Sequence, residues 1–242
     1  MANKKKNKKK SPQKAAPQNM SPRQYVQSGR ARTLEIFECL VSADWQEVGI
    51  STVIVARQHK TGNITWGTYL LDTFCLGVKD TSAAFNRLED DYEGYKNHIA
   101  RIHPVMLPID YAMAHNLVFG AAAYGATLGF KPHKEWADSQ FILLPANSPE
   151  VEKMAIEFGK DGKPLYISGP YDNAGKILAQ LNASVGEGNY TYIANMGRSG
   201  NSMFSEDMLD YKDDEDDFDD DDDDDDDFDE NDTQDVDYEE VK

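Results

Sequence analysis

Charge in this chain is segregated by position, and that limits which part of it can fold. Residues 1–32 carry seven Lys and three Arg and no acid, whereas residues 206–242 carry 24 Asp and Glu against two Lys. A like-charged run repels itself and holds too little apolar surface to offset the entropy of ordering. The sequence therefore predicts a basic disordered arm over 1–32 and a linker with a polyacidic disordered tail over 197–242. The formal net charge of −18 belongs to that tail. The segment between the arms is nearly balanced, and its length suits one domain with its own core, placed at 33–196.

The two cysteines, Cys39 and Cys75, make neither a disulfide framework nor a CxxC metal knuckle. No cofactor motif appears, and none is expected. The basic start is not followed by an apolar stretch of signal-peptide type, and "LVFGAAAYGATLGF" is too short to span a bilayer. These features suggest a cytoplasmic protein without membrane contact.

Within the middle segment, residues 52–57 read as an apolar strand, "KTGN" as a turn with Gly62 at positive φ, and residues 64–74 as a second strand with a bulge near Gly67. "DTSAAFNRLEDDYEGYKNHIARI" reads as a helix capped by Asp80 or Thr81. "LPIDYAMAHNLVFGAAAYGATLGF" reads as a second helix, whose Gly120, Ala121, Ala122, Gly125 and Ala126 suit close packing and whose stop is Gly129. "KEWADSQFILL" gives a third, shorter helix, "AIEFGKDGKPLYISG" a hairpin turning at KDG, "DNAGKILAQLNASVG" a fourth helix and "NYTYIANM" a last strand. The pattern is α+β: antiparallel hairpins with about four helices packed on one face.

The candidate chemistry centres on "WGTYLLDTFCLGVKD", residues 66–80. Cys75 is a nucleophile if its pKa is lowered and a His base, His115 or His133, stands within reach with Asp72 to orient it. Flanked by Phe74, Leu76 and Val78, it reads equally as a buried strand thiol. Lys79 and Asp80 read as an anion-binding pair, or as a solvated lysine and a helix cap. No second ligand stands near His133 at metal spacing, and no metal is expected. The glycine–lysine pairs in "KDGKP" and "SGPYDNAGK" match no phosphate-binding loop.

In the arm, Lys4, Lys5, Lys6, Lys8, Lys9, Lys10, Lys14, Arg23, Arg30 and Arg32 can neutralise phosphates without reading sequence. RNA or a ribonucleoprotein is the partner this composition suggests. The acidic tail suits basic proteins, or the arm itself.

The segments "RARTLEIFECLVSADWQEVGISTVIVARQHKTGNITWGTYLLDTFCLGVKDT", "AHNLVFGAAAYGATLGFKPHKEWADSQFIL" and "EFGKDGKPLYISGPYD" together resemble a family of uncharacterised bacterial proteins of Bacteroidetes type. Its pattern runs DxxCLGxKD, GAxxYAxxLGFxPH, EFGKDGK. It falls here on Asp72, Cys75, Gly77, Lys79 and Asp80, on Gly120, Tyr124, Gly129 and His133, and on residues 157–163; Gly125 stands where the pattern has Ala. The resemblance implies a cytoplasmic bacterial protein and no particular activity. The reading favoured here is a non-catalytic interaction module, with a Cys75-dependent hydrolase or transferase, and an acidic-tail holder of basic proteins, as the alternatives.

Overall fold

The structure, a computed structural model, describes residues 21–170 and 172–193. Folded structure begins earlier than 33. A helix, α1 (Pro22–Gln27), opens with a capping box in which Ser21 and Gln24 satisfy each other's backbone N–H groups. A 3-10 turn over Arg30–Thr33 follows, and Val26 and Ala31 are buried in the core. The arm expected to be disordered through 32 is thus ordered from residue 21, because this stretch supplies apolar anchors that charge counting overlooks.

Four strands then meander: β1 (Glu35–Ser42), β2 (Ile50–Gln58), β3 (Ile64–Asp72) and β4 (Gly77–Arg87), with a one-turn helix, α2 (Trp45–Val48), between the first two. Gly62 in the β2–β3 turn takes φ +90°, as its place in "KTGN" requires. The β2–β3 register is unbroken past Gly67; the sheet's irregularities lie between β1 and β2, at Ile36/Glu38, and between β3 and β4, at Ile64/Trp66 and at Leu70/Leu71. α3 (Glu89–Ile102) carries the chain to β5 (Met106–Pro108) on the far side of β1. The sheet order is β4-β3-β2-β1-β5, antiparallel at each of its pairings.

Residues 80–87, expected at the start of a helix, are strand. α3 begins at Glu89 with Leu88 at its N-cap, and the Asp80 carboxylate accepts from the Thr81 N–H instead of capping a helix. Pairing with β3 overrides the weak strand preference of "DTSAAFNR".

α4 (Tyr111–Thr127) packs on one face of the sheet, against Cys39, Val41, Val53, Val55, Tyr69 and Leu71. α3 covers the other face, where Tyr92 and Ile99 meet Ile54, Ala56, Ile64 and Trp66. The helices therefore sit on both faces, not one. "STVIVAR" had already implied this, since a strand apolar at nearly every position is covered twice. α3 is held by Tyr95 Oη to Thr68 Oγ1 (2.8 Å), His103 Nε2 and Thr52 Oγ1 (2.8 Å), and Lys96 to Glu38 (2.7 Å).

Beyond α4 the expected third helix is split into α5 (Trp136–Ser139) and a 3-10 turn over Gln140–Ile142. The expected hairpin at KDG reduces to a single bridge between Lys160 and Lys163. β6 (Leu165–Ile167) instead pairs in parallel with β7 (Thr191–Ile193), joined through α6 (Ala174–Val185). This small βαβ unit shares a core with the β3–β4 turn through Cys75, Leu128, Tyr166 and Leu181. The described domain is α+β, and among the described residues no helix is long and apolar enough to cross a membrane.

Candidate functional site

The motif around Cys75 folds as a junction. At the end of β3 the buried Asp72 carboxylate turns back and accepts the N–H groups of Phe74 (3.0 Å) and Cys75 (2.8 Å). This is the local bond by which an Asp fixes a turn. Gly77 follows at φ +77°, where a Cβ would lie 2.7 Å from the Ala121 carbonyl of α4. Gly125 meets the turn from the helix side, its absent Cβ 2.7 Å from the Leu76 carbonyl. The small-residue stripe of α4 is therefore what lets the helix backbone touch the turn.

Cys75 is fully buried. Burial, reinforced by the neighbouring Asp72 carboxylate, pushes its thiol up to about 12. A nucleophilic thiol needs the opposite shift and a base. His115, on the sheet side of α4, is bound instead at Nε2 to the Leu144 carbonyl (3.0 Å), and burial lowers its pKa. His133 Nδ1 stands 3.3 Å from Asp80 Oδ1, close enough for charge attraction but not aligned for a hydrogen bond. His59 and His103 pair with Thr65 and Thr52. The proposed Cys75–His115–His133–Asp72 set is not brought together: Cys75 and Asp72 adjoin, and the two histidines engage other partners.

Lys79 pairs with Asp172 at 3.0 and 3.1 Å, and Asp172 also accepts from the Gly169 N–H (2.9 Å). The half-buried lysine ties β4 to the loop before α6 and is paired with a carboxylate rather than left for an anion. Asp80 is exposed beside His133. Of the arginines expected in the arm, Arg23 pairs with Asp138 (2.8 Å) and Arg32 lies over the Phe141 ring at 4.9 Å; Arg30 is exposed. Buried Arg57 secures this region: Nε and Nη1 donate to the carbonyls of Ile142 (2.8 Å) and Leu34 (2.7 Å). Residues 4–14 and the acidic run lie outside the described residues. Among the described residues no three His, Cys, Asp or Glu side chains assemble as a metal-binding group.

A sizeable opening lies elsewhere. An open cleft of about 900 Å³ runs beside β4, between that strand and the helices α1 and α5. Val26, Ala83, Ala84 and Phe85 supply apolar lining, and Arg23, Arg87, Lys134, Glu135 and Asp138 are its charged groups. Arg23 and Asp138 satisfy each other, and Gln27 also donates to Asp138. Arg87 and Lys134 have no carboxylate within ion-pair distance among the described residues. β4 is the outermost strand, so its outer backbone groups face this space without a sheet neighbour. Reading residues 80–87 as helix hid the cleft. Its one sequence signal was the row Val78, Thr81, Ala83 and Phe85, which suits a strand as well as a helix.

No protein-family model matches this chain, and neither a curated protein nor a solved structure matches it.

Proposed function

We propose that this chain is a non-catalytic binding module and that the cleft beside β4 is its binding surface. The observation that carries this reading is the unpaired outer edge of β4 opening onto a cleft with an apolar lining and two unpaired cations. Exposed strand edges are normally blunted or covered, because they template the pairing of another chain. One feature of the cleft favours a protein segment over RNA: its apolar lining beside a strand edge without a sheet neighbour. RNA stands as the second reading, supported by the seven lysines of residues 1–20. Lys14 is seven residues from Ser21, where α1 begins beside the cleft, so it reaches at most about 24 Å from there.

The test is amide chemical-shift mapping on the full ¹⁵N-labelled chain. The probes are a decapeptide alternating Glu and Val and a 20-nucleotide single-stranded RNA. The reading expects shifts at Val26, Ala83, Phe85 and Lys134 with the peptide. Neither probe shifting any of these residues would sink it. RNA binding that falls steeply with salt and is lost on deleting residues 1–20, with the cleft unshifted, would establish the second reading instead.

A further inference from the structure

We infer that the cleft takes an extended acidic peptide of a partner protein, added to the main sheet as a strand alongside residues 82–85 of β4. This rests on the cleft being the binding surface and adds the chemistry and geometry of what fills it.

The free edge is a short window closed at both ends. Upstream, the His133 N–H donates to the Val78 carbonyl, and Thr81 Oγ1 donates to Ser139 Oγ of α5. Downstream, the β3–β4 register slips between Ile64 and Trp66, and Asn86 turns to φ +49°. The Asn86 N–H is taken by Thr65 Oγ1, and its carbonyl accepts from Asn63 Nδ2. Between these closures, residues 82–85 have no backbone partner outside β3 among the described residues. Four residues of strand span about 14 Å, enough for two or three ladder hydrogen bonds.

The side chains beside that window set the chemistry. Ala83 pairs with Gly67 and shares its face with Phe85, which packs on Tyr25 at 4.4 Å between ring centroids. Val26 lines the same cleft and is itself in the core. A side chain projecting from an added strand onto this face meets apolar surface. Only small side chains stand at 82–84, so β4 itself brings no bulky side chain to this stretch of the edge. Among the described residues, Arg87 and Lys134 of the lining have no carboxylate partner, and Glu135 is the one lining carboxylate without a cation. The complementary strand is therefore acidic where it faces the rim and apolar where it faces Val26 and Phe85. Strand addition draws affinity from main-chain hydrogen bonds and specificity from alternate side chains. Charge of this kind chiefly sets the rate of encounter and the choice of partner.

The experiment uses the full chain and four probes: the alternating Glu/Val decapeptide, its Lys/Val counterpart, and two Glu/Val peptides N-methylated at alternate residues so that one or the other edge loses its donors. The expected result is tightest binding by unmodified Glu/Val, with slowed hydrogen exchange at residues 82–85. One of the two N-methylated peptides should bind about tenfold or more weaker, and the double variant Arg87→Glu, Lys134→Glu should bind unmodified Glu/Val about tenfold weaker. Both N-methylated peptides binding as tightly as the parent would overturn strand pairing. Lys/Val binding as tightly as Glu/Val would overturn the acidic occupant. In either case shifts that still map to Val26, Phe85 and Lys134 leave the cleft as the binding surface. Cleft residues unmoved by every probe would remove that reading as well.

Discussion

Two residues of the motif that first drew the eye have roles open to measurement. Cys75 is sealed in the core with its thiol pushed up to about 12, so at pH 8 only on the order of one molecule in ten thousand carries a thiolate. Thiol reagents at that pH should label Cys75 no faster than the protein unfolds, as buried Cys39 should also behave. Labelling within seconds in native buffer would restore a chemical role. Asp72 makes a pH prediction. Burial raises its carboxyl above the ordinary range, against the backbone donors of Cys75, Leu76 and Phe74 that pull it down. A carboxyl raised by folding binds more protons folded than unfolded, so its stabilising contribution is complete only below about pH 4, the unfolded value, and is lost as pH rises through the raised value. Asp72→Asn keeps an oxygen for the turn and does not titrate. The stability of wild type relative to this variant should therefore be highest near pH 4 and fall toward pH 7, by urea denaturation at both. A difference that grows with pH would contradict the raised carboxyl. The buried reading of Cys75 was legible from its apolar neighbours. The partners of His115 were not, since the Leu144 carbonyl that holds it is 29 residues away in the chain.

At the scale of elements, α4 and the β3–β4 turn are locked by a contact between backbones. Gly125→Val places carbon where the Leu76 carbonyl stands, and should cost about 2–4 kcal/mol in chemical denaturation. Gly94 in α3 is the control: a Cβ there meets nothing within 4 Å, so Gly94→Ala should stabilise by up to about 1 kcal/mol. Equal effects from the two substitutions would mean that helix propensity, not close approach, governs Gly125. α4 was legible because its small residues, its length and Gly129 agree. β4 was not, because Asp80, Ser82, Ala83, Ala84 and Asn86 are poor strand formers that give no local sign of their partner. The parallel pairing of β6 with β7 was equally hidden, since "KDG" carries the composition of a hairpin turn without its second strand.

For the whole molecule, charge segregation placed the start of the folded segment at 33, whereas ordered structure is described from Ser21. It erred there because Val26 and Ala31, both buried, lie inside a run that counts only as basic. The α+β class followed from the alternation of elements, whereas the order of the strands did not, because nothing local announces that β5 joins β1. That crossing has a consequence in time. β1 to β4 pair with their neighbours in sequence, so their loops close cheaply, but Leu40 waits for Pro108, and α3 must first be laid across the full width of the sheet. Substitutions in the β2–β3 hairpin, such as Val55→Ala, should mainly slow refolding. Those at the β1–β5 seam, such as Val41→Ala, should mainly speed unfolding, in stopped-flow chevrons. The reverse partition would mean that the two ends of the sheet meet first. In the expected order the β4 edge is already built while the β5 edge is still bare, so the folding chain exposes the edge proposed to bind before its sheet is complete.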